Sequence, residues 1–265
     1  MDVDRYLSRI GLNPDALSEH SVEGLARIQR AHVRSVPFEN LSITGDPFTG
    51  DPGEGVTLSL QTLYQKIVED ERGGYCFELN GLFGWLLAEG GFEADRIAAR
   101  VLGEDGDARP PANHHAHVVT LDRRYLVDAG LGVPTMRQPL PLDGSPRTDE
   151  AGVTWRVVES DRPDADYLTQ FRMPGDDDWT DRYVFRERPR ELAFFEATCE
   201  YLASAPESPF TGAPVVSIAT ADGHKKLSRE TLTVSDGETT ERPVAAHEWH
   251  DVLETEFGLR PEPME

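Results

Sequence analysis

At Arg96 the spacing of apolar residues in this chain changes from every third or fourth position to every second. Before that point, Val22, Leu25, Ile28, His32, Val33 and Val36 repeat at helical spacing, with Ser21 placed to cap the helix and Pro37 to stop it. Leu60, Leu63, Tyr64, Ile67 and Val68 form a second stripe. Leu79, Leu82, Phe83, Leu86 and Leu87 form a third, closed by Gly90-Gly91. A short helix over 4–12 precedes them, Phe38-Glu39-Asn40-Leu41 reads as an extended exit, and 45–55 reads as a Gly/Asp/Pro-rich loop. Past the change, 97–102, 117–121, 125–129 and 153–158 are short β-rich runs separated by turns, with a polar loop at 143–150. Helical spacing returns over 189–204, through Leu192, Phe195, Cys199 and Leu202. Strand-like runs follow at 215–220 and 231–234, joined through Ala221-Asp222-Gly223, and a last helix carries Trp249, Val252, Leu253 and Phe257. The pattern predicts an α+β chain: a helical lobe, then an antiparallel sheet or barrel, then a mixed segment. With no long linker, these lobes share interfaces.

A chain of 265 residues that is 38% hydrophobic can bury a core, as one large domain or as lobes around a common centre. No apolar run approaches the length of a membrane span. Met1-Asp2-Val3-Asp4-Arg5 lacks the basic and apolar regions of a signal peptide, and two cysteines make no disulfide framework. These features predict a reducing cytoplasm and no membrane partner. Asp and Glu number 48 against 26 Lys and Arg, a net charge of −22, which repels nucleic acid. Lys66, Lys225 and Lys226 are the chain's three lysines. Acid excess combined with so little lysine is read as halophilic, suited to a high-salt cytoplasm where screening makes self-repulsion tolerable.

Residues that could do chemistry gather in three places. Cys76 follows Arg72-Gly73-Gly74-Tyr75 and opens the third helix. As a lone cysteine it could be a small buried hydrophobe. In its favour, a helix's first turn stabilises a thiolate, the glycines permit close backbone approach, and Arg72 adds positive charge nearby. Asn113-His114-His115-Ala116-His117 leads into a strand. Its histidines could be solvated, could share a metal, or could supply one general base for the thiol. Alternation puts His115 and His117 on one face and His114 on the other. Asp128 ends the run Tyr125-Leu126-Val127, either as a turn residue beside Gly130 or as the group that orients an imidazole. Cys199 lies on an apolar stripe and reads as core, and His247-Glu248-Trp249-His250 lacks the four-residue spacing of a zinc protease helix and reads as a solvated face.

These residues resemble the arylamine N-acetyltransferase family. Arg72-Gly73-Gly74-Tyr75-Cys76-Phe77-Glu78-Leu79-Asn80 is similar to its nucleophile motif, and Pro37-Phe38-Glu39-Asn40-Leu41 to its N-terminal motif. Tyr125-Leu126-Val127-Asp128-Ala129-Gly130-Leu131-Gly132 resembles the segment ending in its triad aspartate, and the stretch from Tyr201 to Phe210 its C-terminal segment. The chain departs from the pattern at Asn113, where a hydroxyl residue is commoner, and at Leu131, where phenylalanine is usual. The resemblance implies three lobes: a helical bundle over 1–92, a β-barrel over 93–188 and an α/β lid over 189–265, with a papain-like Cys-His-Asp site where the first two meet. It implies Cys76, His114 and Asp128 as the triad, with His117 second to His114. It also implies Phe38 as a wall of the acceptor pocket, and Glu39 with Arg72 as a brace for the nucleophile loop. Acetyl-CoA would be the acyl donor and no metal would be needed. The expected reaction is ping-pong transfer of acetyl through Cys76 to an arylamine, arylhydrazine or hydrazide. Two other functions fit the same residues: a thiol hydrolase or transglutaminase-like amidase, and a non-catalytic binding protein on the same fold.

Overall fold

The structure, a computed structural model, describes residues 1–103 and 109–260. Helices come first: α1 (Val3–Arg9), α2 (Val22–Ser35), the two-residue strand β1 (Phe38–Glu39), a single turn α3 (Leu41–Thr44), α4 (Leu60–Tyr64) continued by a π-helical turn Gln65–Glu69, and α5 (Cys76–Glu89). Ser21 caps α2 by accepting the Gly24 amide at 3.1 Å, as its position predicts. α5 is more than an amphipathic stripe. Every residue from Cys76 to Leu87 is buried, and the helix packs against α1, α4 and the strands β2 (Glu93–Val101) and β3 (His114–Thr120). A helix buried on all sides is mostly apolar all round, and its two buried polar side chains, Glu78 and Asn80, both lie in its first two turns.

An eight-stranded antiparallel sheet follows. After β2 and β3 come β4 (Arg124–Val127), β5 (Leu140–Pro141), β6 (Arg147–Thr148), β7 (Thr154–Glu159), β8 (Tyr167–Arg172) and β9 (Thr180–Pro189). Their order in space is β5-β4-β3-β2-β9-β8-β7-β6, and β5 comes back against β7, so the sheet curls into a nearly closed barrel. Trp155, Tyr183, Phe185, Ile97 and Leu126 fill it. A 3-10 turn, Leu192–Phe195, leads into α6 (Glu196–Ser204). The chain ends in β10 (Val216–Ala219), β11 (His224–Leu227), β12 (Thr231–Ser235), β13 (Thr239–Pro243) and α7 (Trp249–Phe257). The second sheet, β1-β10-β11-β12-β13, takes its first strand from the helical part of the chain: Phe38 pairs with Ser217 and Glu39 with Val216.

The sequence expectations depart from this fold at definite places. β3 starts at His114 rather than at His117, so all three histidines lie within the strand. β8 and β9 were not expected, because their charged positions break the alternation. The 221–223 turn joins β10 to β11, a strand of sequence His-Lys-Lys-Leu, rather than to the strand at 231. β13 is exposed at all five residues, so no apolar pattern marks it. Leu41 opens a helical turn instead of extending the strand before it.

Candidate active site

The turn that delivers Cys76 is built by close backbone approach. The Glu39 amide donates to the Gly74 carbonyl (2.9 Å), the Gly74 amide donates to the Pro37 carbonyl (3.2 Å), and Phe38 forms a parallel bridge with Gly74. Neither Gly73 nor Gly74 has a positive φ. A Cβ on Gly73 would stand 2.3 Å from the Pro37 oxygen, and one on Gly74 would stand 2.9 Å from the Glu78 Cβ. Glu78 caps α5 by accepting the Tyr75 amide at 3.0 Å. Its other oxygen takes the Lys66 ammonium at 2.7 Å, and Lys66 also reaches Glu39 at 3.2 Å. Burial pushes the Lys66 pKa down, but Glu39 and Glu78 more than offset this and hold it above its ordinary value. Arg72 pairs with Glu54 at 2.5 Å and lies 3.9 Å from Glu39. This is the contact expected of a Glu39–Arg72 brace, and Lys66, which the sequence reading passed over, is buried between Glu39 and Glu78 in the same cluster.

Cys76 is the first residue of α5 and lies in the wall of a cavity of about 470 Å³, where His114 also lies. Burial pushes its thiol well above the ordinary cysteine pKa, and nearby Cys199 and Asp128 add to this. A hydrogen bond from the Phe77 amide works the other way without offsetting the rise. The helix terminus alone therefore leaves the thiol protonated, and a reactive sulfur here needs a base.

One is at hand. His114 opens β3, and its Nε2 lies 2.6 Å from Asp128 Oδ2. Asp128 follows the last residue of β4 and is fully buried. Its Oδ1 accepts Asn80 Nδ2 (2.8 Å) and the Gly130 amide (2.9 Å). Burial alone would raise the Asp128 pKa; the charge and hydrogen bond of His114, with the Asn80 and Gly130 donors, bring it below the ordinary value. An ionised carboxylate on Nε2 keeps the proton there and leaves Nδ1 as the basic nitrogen of the ring. Gly130 is required by space: a Cβ would stand 2.7 Å from the Cys76 carbonyl oxygen and 2.5 Å from Asn80 Nδ2. Asn80 also accepts the Ala129 amide (2.9 Å) and donates to the His115 carbonyl (2.6 Å), tying α5 to β3 and to the residues after β4. A buried asparagine in a mostly apolar helix was the signal for this tie. Gln29 secures the same segment from α2 by donating to the carbonyls of Asp128 (3.1 Å) and Met136 (3.0 Å).

The three histidines do not converge. His115 and His117 share the face opposite His114, as alternation predicts. The His115 ring stacks on Phe195 at 4.7 Å, and its Nε2 lies 3.2 Å from the Phe77 carbonyl. His117 fits against Gly84, where a Cβ would stand 2.2 Å from Nε2, and neither ring nitrogen has a protein hydrogen-bond partner among the described residues. Burial lowers both pKa values well below the ordinary one.

Phe38, Leu131, Val133, Phe210 and Val215 give the cavity apolar walls. Asn40 fixes the far wall, donating to the carbonyls of Phe210 and Ala213 (2.9 Å each) and accepting the Val215 amide (2.7 Å). Cys199 is buried core as expected, with its sulfur 2.8 Å from the Tyr75 hydroxyl and its pKa pushed up by burial to about 11. The 247–250 stretch departs from its reading as a solvated face: Trp249 is buried, and His250 Nε2 lies 2.6 Å from Asp46 Oδ2.

Residues 21–263 match the model of a family described as N-acetyltransferase. The arylamine N-acetyltransferase of Mycolicibacterium smegmatis is 35% identical over 266 residues, covering 98% of this chain and 92% of that one. The crystal structure of a Bacillus cereus arylamine N-acetyltransferase, described as having a Cys-His-Glu catalytic triad, superposes with a TM-score of 0.87 at 26% identity over 98% of this chain and 100% of its own. The Mycobacterium marinum arylamine N-acetyltransferase in complex with CoA gives a TM-score of 0.83 at 29% identity, over 97% of this chain and 93% of that one. Matched along nearly its whole length in both sequence and fold, this chain belongs to the arylamine N-acetyltransferase family.

Proposed function

We propose that this protein transfers an acetyl group from acetyl-CoA to an arylamine, arylhydrazine or hydrazide by a ping-pong route, with Cys76 as the carrier and His114 and Asp128 as its base and orienting carboxylate. The observation that carries the reading is the shared cavity: Cys76 opens into the space that His114 lines, and His114 is held from behind by Asp128 at 2.6 Å. The raised thiol pKa makes the base necessary. His114 Nδ1 takes the Cys76 proton as the sulfur attacks the thioester carbonyl. The tetrahedral adduct collapses, the C–S bond to CoA breaks, and CoA leaves as its thiol with the proton from His114. The acceptor amine then attacks the acetyl-cysteine, His114 removes a proton from its nitrogen, and the Cys76 thiol leaves. Asp128 keeps the ring in the required tautomer and stabilises the imidazolium that forms at each half-reaction. Phe38 forms an apolar wall for the acceptor's ring.

Three lobes, 1–92, 93–188 and 189–265, fit this reading; residues 104–108 and 261–265 of those spans lie outside the described residues. Three separate apolar clusters fall largely within these spans, and a fourth, with Tyr75, Phe77, Phe195 and Leu202, lies at their seam. Among the described residues no helix is long and apolar enough to cross a membrane. Together with the net charge of −22, this supports a cytoplasmic enzyme adapted to high salt, with small-molecule partners rather than nucleic acid.

Intact-protein mass tests the central step. Brief mixing with acetyl-CoA at high salt, without acceptor, adds one acetyl group to the wild type and none to Cys76→Ala, and an arylamine or hydrazine then removes it. No adduct on the wild type refutes the carrier role. Discharge of the adduct by water at a rate unaffected by added amine makes the enzyme a hydrolase instead.

A further inference from the structure

In each half-reaction the attacked carbonyl oxygen becomes an oxyanion, which needs hydrogen-bond donors fixed in advance. Several amides around Cys76 already have other work. The Tyr75 amide donates to Glu78 Oε2, and those of Glu78 and Leu79 both donate to the Tyr75 carbonyl at 3.0 Å. The Phe77 amide bonds the Cys76 sulfur. Beyond Asp128, the Ala129 amide goes to Asn80 Oδ1 and the Gly130 amide to Asp128 Oδ1. These groups hold the turn, the thiol and the triad carboxylate, so a donor for the oxyanion has to be sought among the side chains of the cavity wall.

Asn113 stands in that wall beside His114 and Cys76. The residue before it, Ala112, has a φ of 54°, a left-handed backbone that residues other than glycine adopt at a cost, and strain of this kind collects at functional sites. The turn there ends the strand alternation, so two consecutive residues, Asn113 and His114, both line the cavity. Asn113 is buried, and its Oδ1 accepts the Val101 amide at 2.9 Å, just past the last pair of the β2–β3 ladder, Ala99 with His114. An oxygen held by an N–H settles which end of the side-chain amide is which: the other end is the NH₂, with two donors. Arg109, Arg182 and Lys226 also supply donors to the wall, but on long side chains with many torsions. Asn113 is short and pinned by Val101, and a fixed dipole meets a developing charge without having to reorganise.

We infer that Asn113 is a catalytic residue whose Nδ2–H donates to the carbonyl oxygen that is attacked first by Cys76 and then through the acceptor amine. This rests on the acetyl-transfer reading. As the Cys76 sulfur bonds to the carbonyl carbon, the C=O π pair moves onto the oxygen, and the Asn113 donor holds the oxyanion. When the pair returns, the C–S bond to CoA breaks. In the second half-reaction the amine nitrogen bonds to the same carbon, the pair moves onto the same oxygen, and its return breaks the bond to Cys76. Asn113 gives up no proton in either step, since a side-chain amide is too weak an acid; the proton traffic stays with His114. One oxygen is served twice, so Asn113 contributes to both half-reactions, whereas a group that recognises one substrate contributes to one.

Stopped-flow loading of Cys76 by acetyl-CoA, and discharge of acetyl-Cys76 by an arylamine, measure the two half-reactions apart. Asn113→Ala is expected to slow each by about 10²- to 10³-fold, the range for loss of one oxyanion donor, with the half-saturating acetyl-CoA concentration little changed. Asn113→Asp keeps an oxygen for the Val101 amide but loses the donor. It is expected to melt closer to wild type than Asn113→Ala does, and yet to be at least as slow. Infrared spectra of acetyl-Cys76 with an isotope-labelled carbonyl read the contact itself: the stretch is expected at higher frequency in Asn113→Ala than in wild type, because the hydrogen bond is gone. Loading and discharge by Asn113→Asp at wild-type rates overturn the inference and leave Asn113 as a tie to β2. A loss confined to one half-reaction also overturns it, by assigning the amide to the substrate of that half alone. So does an unshifted carbonyl stretch. If Asn113→Ala fails to fold, the rates and carbonyl stretch of Asn113→Asp decide by the same criteria. If wild-type Cys76 takes up no acetyl group, the acetyl-transfer reading fails at loading, and the inference falls with it.

Discussion

Asp128 shows how much a single position can hold. Its Oδ1 is fixed by Asn80 and the Gly130 amide, so an asparagine there keeps its oxygen on those donors and turns its NH₂ toward His114 Nε2. That forces the ring proton onto Nδ1, the nitrogen that accepts the thiol proton in the proposed route. Asp128→Asn should retain the fold and slow acetylation of Cys76 by about 10³- to 10⁴-fold, the cost of a wrong tautomer in a related triad; stopped-flow loading with acetyl-CoA measures it. A second consequence concerns three other buried histidines. His32, whose Nδ1 lies 3.0 Å from the Tyr6 hydroxyl, has its pKa lowered by burial to about 3, and those of His115 and His117 are also driven down by burial. The unfolded chain binds protons at these positions as pH falls through about 6.5, and the folded protein does not. Stability should therefore fall on acidification below about pH 6.5, each histidine adding about 1.4 kcal/mol per pH unit. Asp128, with its lowered pKa, contributes stability that is lost only below the ordinary carboxylate range, so it leaves that window clear. Urea midpoints between pH 7 and 5 should show the slope, and His117→Leu should flatten it by one histidine's share; an unchanged slope would contradict the assignment. At this scale the sequence was informative where chemistry needs a particular residue in a particular order. Cys76, His114 and Asp128 were singled out by resemblance, and the structure pairs His114 with Asp128 and puts Cys76 and His114 in one cavity wall, whereas Lys66 was passed over, since a charged side chain's surroundings depend on elements far away in the chain.

Elements explain what the apolar pattern could and could not reveal. Helical stripes were legible because α2 and α5 bury side chains at every turn. β9 and β13 were not, because partly or wholly exposed strands are held by ladder hydrogen bonds that any residue can make. The join between α5 and its neighbours depends on the ion cluster under the nucleophile turn. Lys66 serves two buried carboxylates, Glu39 and Glu78, and removing it strands both. Lys66→Met should cost about 3–5 kcal/mol in stability, read from the denaturant midpoint, since breaking a buried pair leaves charge uncompensated. Gly130→Ala should act on geometry, pressing a methyl group into the Cys76 backbone and slowing acetylation at least tenfold. A loading rate within twofold of wild type would show that the turn yields without disturbing the sulfur.

For the molecule as a whole, the charge of −22 sets the terms of stability. The Debye length shortens from about 10 Å at 0.1 M salt to about 3 Å at 1 M, so self-repulsion among surface acids fades over that range. Melting temperature and activity should both rise with KCl between those limits; a melting temperature indifferent to salt would rule out adaptation to a saline interior. The α+β plan was legible from the change in hydrophobic period, but the sharing of a sheet between distant parts of the chain was not, because β1 is two residues long and carries no pattern of its own. That sharing has a consequence for how the protein is made. A ribosome releases Cys76 early, and α1 to α5 can pack once residue 92 has emerged. The strand beside the nucleophile turn, Phe38–Glu39, finds its ladder partner only when Val216 and Ser217 arrive, and Asn40 finds its carbonyls at 210 and 213 only slightly sooner. During the interval between, the nascent chain exposes an unpaired strand edge beside its thiol, and the reaction chamber closes only in the last quarter of translation.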